Sequence, residues 1–484
     1  MSVRRSTYFS FGSRQLGVLV NFAATVVIAR LLTPAEIGVF AVSAAFVMIS
    51  QVIRDSGIGS YLIQERNLSR ERIRSAMGVS LVIGGLLGLM IVGLALPLAQ
   101  FYGEPGVEDV MHILVFSFVL APVNAVGLAL LRRELAFGTT FWLETSSNAV
   151  WAATAITLAY LGASYYSMAW ASVVSTSTLC LLFLVSRPDA ILIRPSLKQW
   201  RLVFSFSSMV TLTQLITQVG VLAPALVLGR VADFGSVAFY NRGNSVTKMF
   251  RDTVERGAAI VALPAFSERL RQQTFEKQVY CHAMTLLSGI SWPFFCFIAI
   301  MAYPIVRILF GDQWDAAVPV VQLLALSNML RSQEVFAKQL AIAHGAVRLV
   351  LMRVLFVQSV RVAVIVACAF YGFVAVAAGQ VAVSVLAVIV NQQLVSRLIG
   401  FTMADRMQAS WHSLVVTLAA VSGPIVVAVF YPATPTLLWP PLLLALATGG
   451  AAWLAAVVAI RHPLRDELAI LARKTRSAFF LRHA

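Results

Sequence analysis

Apolar residues fill this chain in runs of about 20, the length a helix needs to cross a bilayer, and short polar turns separate them. The runs fall at about 11–31, 37–57, 77–99, 108–130, 141–161, 164–186, 203–227, 236–264, 281–302, 315–343, 347–370, 373–396, 411–431 and 437–460. They predict an all-α polytopic membrane protein with about fourteen transmembrane helices. The eighth and tenth runs differ from the rest, being long and polar-striped.

The eighth run contains FYNRGNSVTKMFRDTVERGAAIV at 239–261. At about 100° per residue, Asn241, Asn244, Lys248, Arg251, Asp252 and Glu255 share about 100° of arc, and Phe239, Val246, Met249, Phe250 and Val254 lie elsewhere. A charge facing lipid costs about 2.5–3.5 kcal/mol. The stripe is therefore expected to face a water-filled cavity or paired partners. Weaker stripes lie on other helices: Arg14, Gln15 and Asn21 on the first, Glu144 and Asn148 on the fifth, and Ser207, Thr211, Gln214 and Gln218 on the seventh. The tenth has Ser327, Arg331, Glu334 and Lys338, and the eleventh has Gln358 and Arg361. Pairing and bending compete with a lined cavity as the reason for these charges. Lys248/Asp252, Arg251/Glu255 and Glu334/Lys338 stand at i,i+4 and Arg331/Glu334 at i,i+3, so they can neutralise one another within a helix. A bend near Gly243 would instead leave part of the eighth helix at a membrane surface. Arg14, Arg242 and Arg361 have no partner on their own helix. The seventh-helix stripe suits interhelical hydrogen bonds as well as a ligand.

Composition agrees with a membrane protein. Of 484 residues, 59% are hydrophobic and 12% charged, and mean hydropathy is +0.83. The net charge of +16 does not indicate nucleic acid, which needs basic residues gathered on a water-exposed domain. Basic residues instead cluster in alternate loops: Arg4 and Arg5, then 54–74, 132–133, 187–201, 269–277, 348, 397–406 and 461–482. The opposite loops hold only Arg30, Arg230 and Arg307. This asymmetry places both termini in the cytoplasm, which an even number of spans requires. A cleaved signal peptide is not expected, since the first apolar run carries Asn21 and leads into a second span. Cys180, Cys281, Cys296 and Cys368 form no CxxC, and the six histidines show no HExxH spacing, so no metal or cofactor is expected. The chain has no GxxxxGK[ST] loop for direct use of ATP. Loops are too short for an enzymatic domain, which leaves the helix bundle as the seat of function.

The organisation reads as duplicated. AEIGVFAV at 35–42 resembles ADFGSVAFY at 232–240, and each follows an apolar run ending in an arginine, Arg30 or Arg230. The expected parts are a six-helix lobe at 1–186, a cytoplasmic loop at 187–202 with Pro188 and Pro195, and a second six-helix lobe at 203–398. Two further helices at 399–460 and a basic tail at 461–484 complete the chain. Repeats with a midplane site are characteristic of alternating-access transporters.

A cationic interior suits an anionic substrate, because guanidinium groups grip phosphate by forked hydrogen bonds. Arg14, Arg242, Lys248, Arg251, Arg331, Lys338 and Arg361 are the candidates for holding phosphate. Asn21, Gln214, Gln218 and Asn244 suit sugar hydroxyls. Asp55, Glu144, Asp252 and Glu255 are candidates for gating or for coupling to a proton or Na+.

The stretches ARLLTPAEIGVFAV (29–42), DSGIGSYLIQERNLS (55–69) and ILFGDQWDAAV (308–318) resemble bacterial Wzx-type polysaccharide-transport flippases. These belong to the multidrug/oligosaccharidyl-lipid/polysaccharide superfamily. The resemblance runs over about residues 5–460. It implies a MATE-like arrangement of two six-helix lobes around a central cavity, with two extra helices. It further implies transfer of undecaprenyl-pyrophosphate-linked oligosaccharide across the bacterial inner membrane. Membrane lipids, and a polysaccharide polymerase or export machinery, would be the partners. Pro34, Glu36 and Gly38, then Asp55, Gly57 and Gly59, then Gly311 and Trp314 match the pattern and are expected at structural turns; Arg54 with Asp55 could form a gate. The alternatives are a MATE-like small-molecule exporter, disfavoured by the cationic stripe, and a polysaccharide polymerase or ligase, disfavoured by short outer loops. A scaffold without transport would leave the stripes unexplained.

Overall fold

The computed structural model describes residues 17, 20–65, 67–186, 194–198, 200–272 and 277–470, without the side chains of 55–57, 60, 64, 137 and 201–210. Among these residues the fold is all-helical, apart from one isolated bridge between Thr434 and Leu437. The helices are α1 (Val20–Leu31), α2 (Pro34–Gln64), α3 (Arg70–Tyr102), α4 (Gly106–Arg133), α5 (Phe137–Tyr160), α6 (Tyr166–Ser186) and α7 (Trp200–Val231). They continue with α8 (Phe234–Phe250), α9 (Arg256–Arg271), α10 (Lys277–Ile300), α11 (Ala302–Phe310), α12 (Val318–Ser332) and α13 (Val335–Ala343). The last four are α14 (Val347–Ala369), α15 (Phe373–Ile399), α16 (Met403–Phe430) and α17 (Trp439–Ala459). Ten of them are long and apolar enough to cross a membrane: α2, α3, α4, α6, α7, α10, α14, α15, α16 and α17. This is a multi-pass membrane protein.

The chain forms two compact units. The first comprises Met1–Asn241 with Ile365–Phe373, the second Arg242–Val364 with Val374–Ala484. The divide at Asn241 falls beyond the 187–202 loop because α7 packs along α2. Gly229 lies against Val42, and the Tyr102 hydroxyl donates to the Leu226 carbonyl at 3.0 Å.

In the first unit the two similar segments, 35–42 and 232–240, each stand at a helix start where a side chain accepts from a backbone amide three residues on. Thr33 caps α2, Pro34 occupies its first turn, and the Glu36 carboxylate accepts from the Thr33 amide at 2.7 Å, closing a capping box. At the start of α8, the Asp233 carboxylate accepts from the Ser236 amide at 2.7 Å. The two starts touch. A Cβ on Gly38 would lie 1.8 Å from the Phe234 carbonyl oxygen, so no larger residue fits without moving a backbone. Around this junction Val39, Val47, Ile91, Val110, Met111, Leu114 and Phe118 form a core. Between α5 and α6, Ser147 and Ser175 exchange hydroxyl-to-carbonyl bonds of 2.9 and 3.0 Å, the polar cross-links that apolar helices use in lipid.

Three expected boundaries change. The turn expected at Asp55–Gly59 is helical, and α2 runs on to Gln64. A glycine costs a helix only about 1 kcal/mol, and here Ile58 between the glycines and Tyr61 and Leu62 beyond them are buried. Arg133 then ends the helix, its guanidinium donating to the carbonyls of Leu62, Ile63 and Glu65. The eighth segment is helical through Gly243, where Val320 packs so closely that a Cβ would lie 2.6 Å from it. Its irregularity is a π turn at Arg251–Glu255 joining α8 to α9. The tenth segment, expected as one helix over 315–343, opens with a 3₁₀ turn at Asp312–Ala317 and breaks at Gln333–Glu334. Arg406 explains the break: its guanidinium donates to Gln333 Oε1 at 3.2 Å and to Glu334 Oε1 at 3.0 Å.

In the second unit α10, α16 and α17 pack together. Ser288 donates to Ser413 Oγ at 2.8 Å, and Ser413 donates to the Thr285 carbonyl at 3.1 Å. His462, just beyond α17 and fully buried, completes this joint. The Leu464 amide donates to its Nδ1 at 3.2 Å, which leaves the proton on Nε2, 3.2 Å from Ser413 Oγ. Burial, with the charges of His412 and His282 adding to it, pushes His462 down to about 4.

Candidate functional site

Each unit presents polar groups in a different form. The first contains a cavity of about 590 Å³. Helix α2 contributes Gln51 and Arg54, α4 contributes Ser117, Asn124 and Arg132, α6 contributes Thr176, and α7 contributes Gln214 and Gln218. Arg54 is buried, with its guanidinium 4.9 Å from the centre of the Phe118 ring. Asn124 donates to the Thr176 carbonyl at 3.1 Å, while its own oxygen is shielded and receives no donor among the described residues. Arg132 meets Glu144 at 3.1 Å on the rim. The described lining contains arginine, amide and hydroxyl groups and no carboxylate. That set suits an uncharged polyhydroxylated or an anionic ligand.

The second unit gathers arginines. Asn328 turns its amide nitrogen onto the Leu324 carbonyl at 2.7 Å. Its oxygen then accepts from Arg251 at 3.3 Å, and Asn244 accepts from the other arm of Arg251 at 3.4 Å. Arg251 is thereby held by neutral groups. Arg331 on α12 feels the charges of Arg361, Arg251, Glu255 and Arg353. Its guanidinium forms no hydrogen bond or ion pair among the described residues. Arg361 is buried on α14. Like charges in one electrostatic neighbourhood raise one another's energy, and an anion of two or more charges relieves several of them together. No group of three or more His, Cys, Asp or Glu residues able to hold a metal occurs among the described residues.

A family model described as polysaccharide biosynthesis protein matches residues 27–319, more than half of the chain. The chain belongs to this polysaccharide biosynthesis family. Among its relatives is the succinoglycan biosynthesis transport protein ExoT of Rhizobium meliloti, 25% identical over 330 residues, 68% of this chain and 66% of that one. The lipopolysaccharide biosynthesis protein WzxC of Escherichia coli is 22% identical over 320 residues, 63% of each chain. The match thus spans just under two thirds of the length of these relatives. Among solved structures the fold is similar to the lipid II flippase MurJ in an inward closed conformation. That similarity has a TM-score of 0.76 at 14% identity and covers 96% of this chain and 99% of that one. An inward-facing multidrug resistance MATE family transporter is similar at a TM-score of 0.62 and 17% identity, over 82% of this chain and 95% of that one. This polysaccharide biosynthesis protein therefore has a MurJ- and MATE-like fold.

Within that fold the expected site residues fall in several places. Gln214 and Gln218 line the first-unit cavity, and Glu144 pairs with Arg132 at its rim. Asn21 is half-buried on α1. Arg251, Arg331, Arg361 and Glu255 come together in the second unit, where Asn244 braces Arg251. Lys248 and Lys338 are exposed on α8 and α13. Arg242 stacks its guanidinium 5.3 Å from Trp314 and 5.8 Å from Phe310, so it anchors the 3₁₀ turn. Arg14 and the side chain of Asp55 lie outside the described residues. The partners differ from those anticipated: Asp252 pairs at 3.1 Å with Arg256, four residues on, and Glu334 binds the distant Arg406 at 3.0 Å. The sequence pattern did not single out Gln51, Asn124, Thr176, Asn328 or Arg353. Gln51 three residues before Arg54 was the available signal for the cavity, and Asn124 and Thr176 stand singly in apolar runs.

Proposed function

We propose that this polysaccharide biosynthesis protein is a flippase, a transporter and not an enzyme. It carries undecaprenyl-pyrophosphate-linked oligosaccharide from the inner to the outer leaflet of the bacterial inner membrane by alternating access. The observation that carries the reading is the arginine group of the second unit. Arg251 is braced by neutral asparagines, and Arg331 has no counter-ion in contact among the described residues. These groups take the pyrophosphate. Gln51, Gln214 and Gln218 of the first-unit cavity suit sugar hydroxyls, and the isoprenoid tail stays in lipid. The names of ExoT, WzxC and MurJ support a lipid-linked or polysaccharide cargo. In this reading about fourteen spans form two six-helix lobes and a C-terminal pair, with both termini cytoplasmic. Polymerase and export machinery act downstream.

The test uses a strain lacking the gene and complemented with variants. Replacing Arg251 and Arg331 together by Gln is expected to leave the protein in the membrane at normal level and to cut polysaccharide export at least tenfold. Lipid extracts should then accumulate the completed lipid-linked repeat unit on the cytoplasmic side, inaccessible to a periplasmic probe. Normal export by that variant would remove the arginines from the mechanism.

A further inference from the structure

The π turn of the second unit carries two carboxylates with different surroundings. Asp252 is taken by Arg256 at 3.1 Å. Glu255 is in the field of Arg251 and Arg331, yet its Oε1 is shielded from solvent and accepts no hydrogen bond among the described residues. An oxygen so placed has given up water without gaining a donor, which is costly unless something else uses the arrangement. The backbone supplies a reason for the placement. The Arg256 amide donates to the Arg251 carbonyl, five residues back, and so closes a π turn around Glu255. Such turns occur often at functional sites.

We propose that Glu255 is the resident counter-anion of the arginine site and that the phosphate of the cargo displaces it. The inference rests on the arginine reading given above. In the empty protein Glu255 offsets part of the charge of Arg251 and Arg331 through space. It does not occupy their hydrogen-bonding arms, so those arms remain ready for a forked contact with phosphate. An arriving pyrophosphate brings more charge and more acceptor oxygens than one carboxylate, and it takes the arginines from Glu255. The repulsion between the bound phosphate and Glu255 then limits how tightly the cargo is held. A carrier needs that limit, because cargo bound too firmly is not released on the far side. Glu255 acts through the arginines and is a positioning residue.

The test is calorimetric titration of the full-length protein in lipid nanodiscs with inorganic pyrophosphate at pH 7.5. Glu255→Gln keeps the size and one acceptor oxygen and removes the charge. It is expected to bind pyrophosphate at least tenfold more tightly than the wild type while exporting polysaccharide at least fivefold more slowly in cells. Glu255→Ala serves if the glutamine variant does not accumulate, with the same direction expected. Unchanged or weaker binding in these variants overturns the counter-anion role. If Arg331→Gln loses pyrophosphate binding while Glu255→Gln matches the wild type, the arginine site stands and only Glu255 is wrongly assigned. If no form binds pyrophosphate, the arginine reading falls too.

Discussion

Glu334 and Arg406 form a desolvated ion pair in the second unit. Both side chains are 7% exposed, and they meet at 3.0 Å. One oxygen of the glutamate and one terminal nitrogen of the arginine still lack partners among the described residues. Two desolvated charges so placed depend on each other, and losing one strands the other at a cost of about 3–5 kcal/mol. Arg406→Met should therefore lower the thermal midpoint of the purified protein markedly, and adding Glu334→Gln should recover most of the loss. Equal midpoints for the single and double variants would mean that the pair does not act as a unit. The sequence shows both residues, but Glu334 has Lys338 one turn away and Arg406 is 72 positions distant. Local spacing favoured the lysine, which the structure leaves exposed.

At the scale of elements, helix positions were legible because apolar runs of bilayer length leave few alternatives, whereas helix ends were not. The end of α2 depends on Arg133, 71 residues from Leu62, and the break in the tenth segment depends on Arg406. Neither has a local signal. The meeting of α2 and α8 does have one, since the glycine in AEIGVFAV stands at the contact. Gly38→Ala would place a methyl carbon on the Phe234 carbonyl. Overpacking of this kind costs about 1–3 kcal/mol, and a hard backbone contact puts the expected effect at the upper end. A lowered thermal midpoint and reduced export are expected; an unchanged midpoint would show that the helices can part without penalty.

For the whole molecule, apolar runs of bilayer length and the family-like stretches made the class of protein readable from sequence. The grouping of Arg251, Arg331 and Arg361 was only partly readable, because three separate helices bring them together. The joint of α10, α16 and α17 was not readable at all, since serines in apolar helices look alike whether or not a histidine completes them. That joint should respond to acid. His462 titrates near 4 in the folded protein and near 6.5 when unfolded. The unfolded chain thus binds the extra proton first, and stability falls as pH drops from about 6.5 towards 4. Protonation would also set a new N–H on Nδ1 against the Leu464 amide. The thermal midpoint in detergent should be lower at pH 5 than at pH 7.5, and His462→Gln should shrink that difference. An undiminished difference would assign the acid response to other groups.

The hook formed by Arg133 also bears on biogenesis. The carbonyls of Leu62, Ile63 and Glu65 have no such donor until the ribosome has made Arg133, 71 residues after Leu62. At about 5–20 residues per second this delay is about 4–14 s. During that time the end of α2 must stay hydrated at the membrane surface. The end of α2 is therefore completed only once α4 has been made.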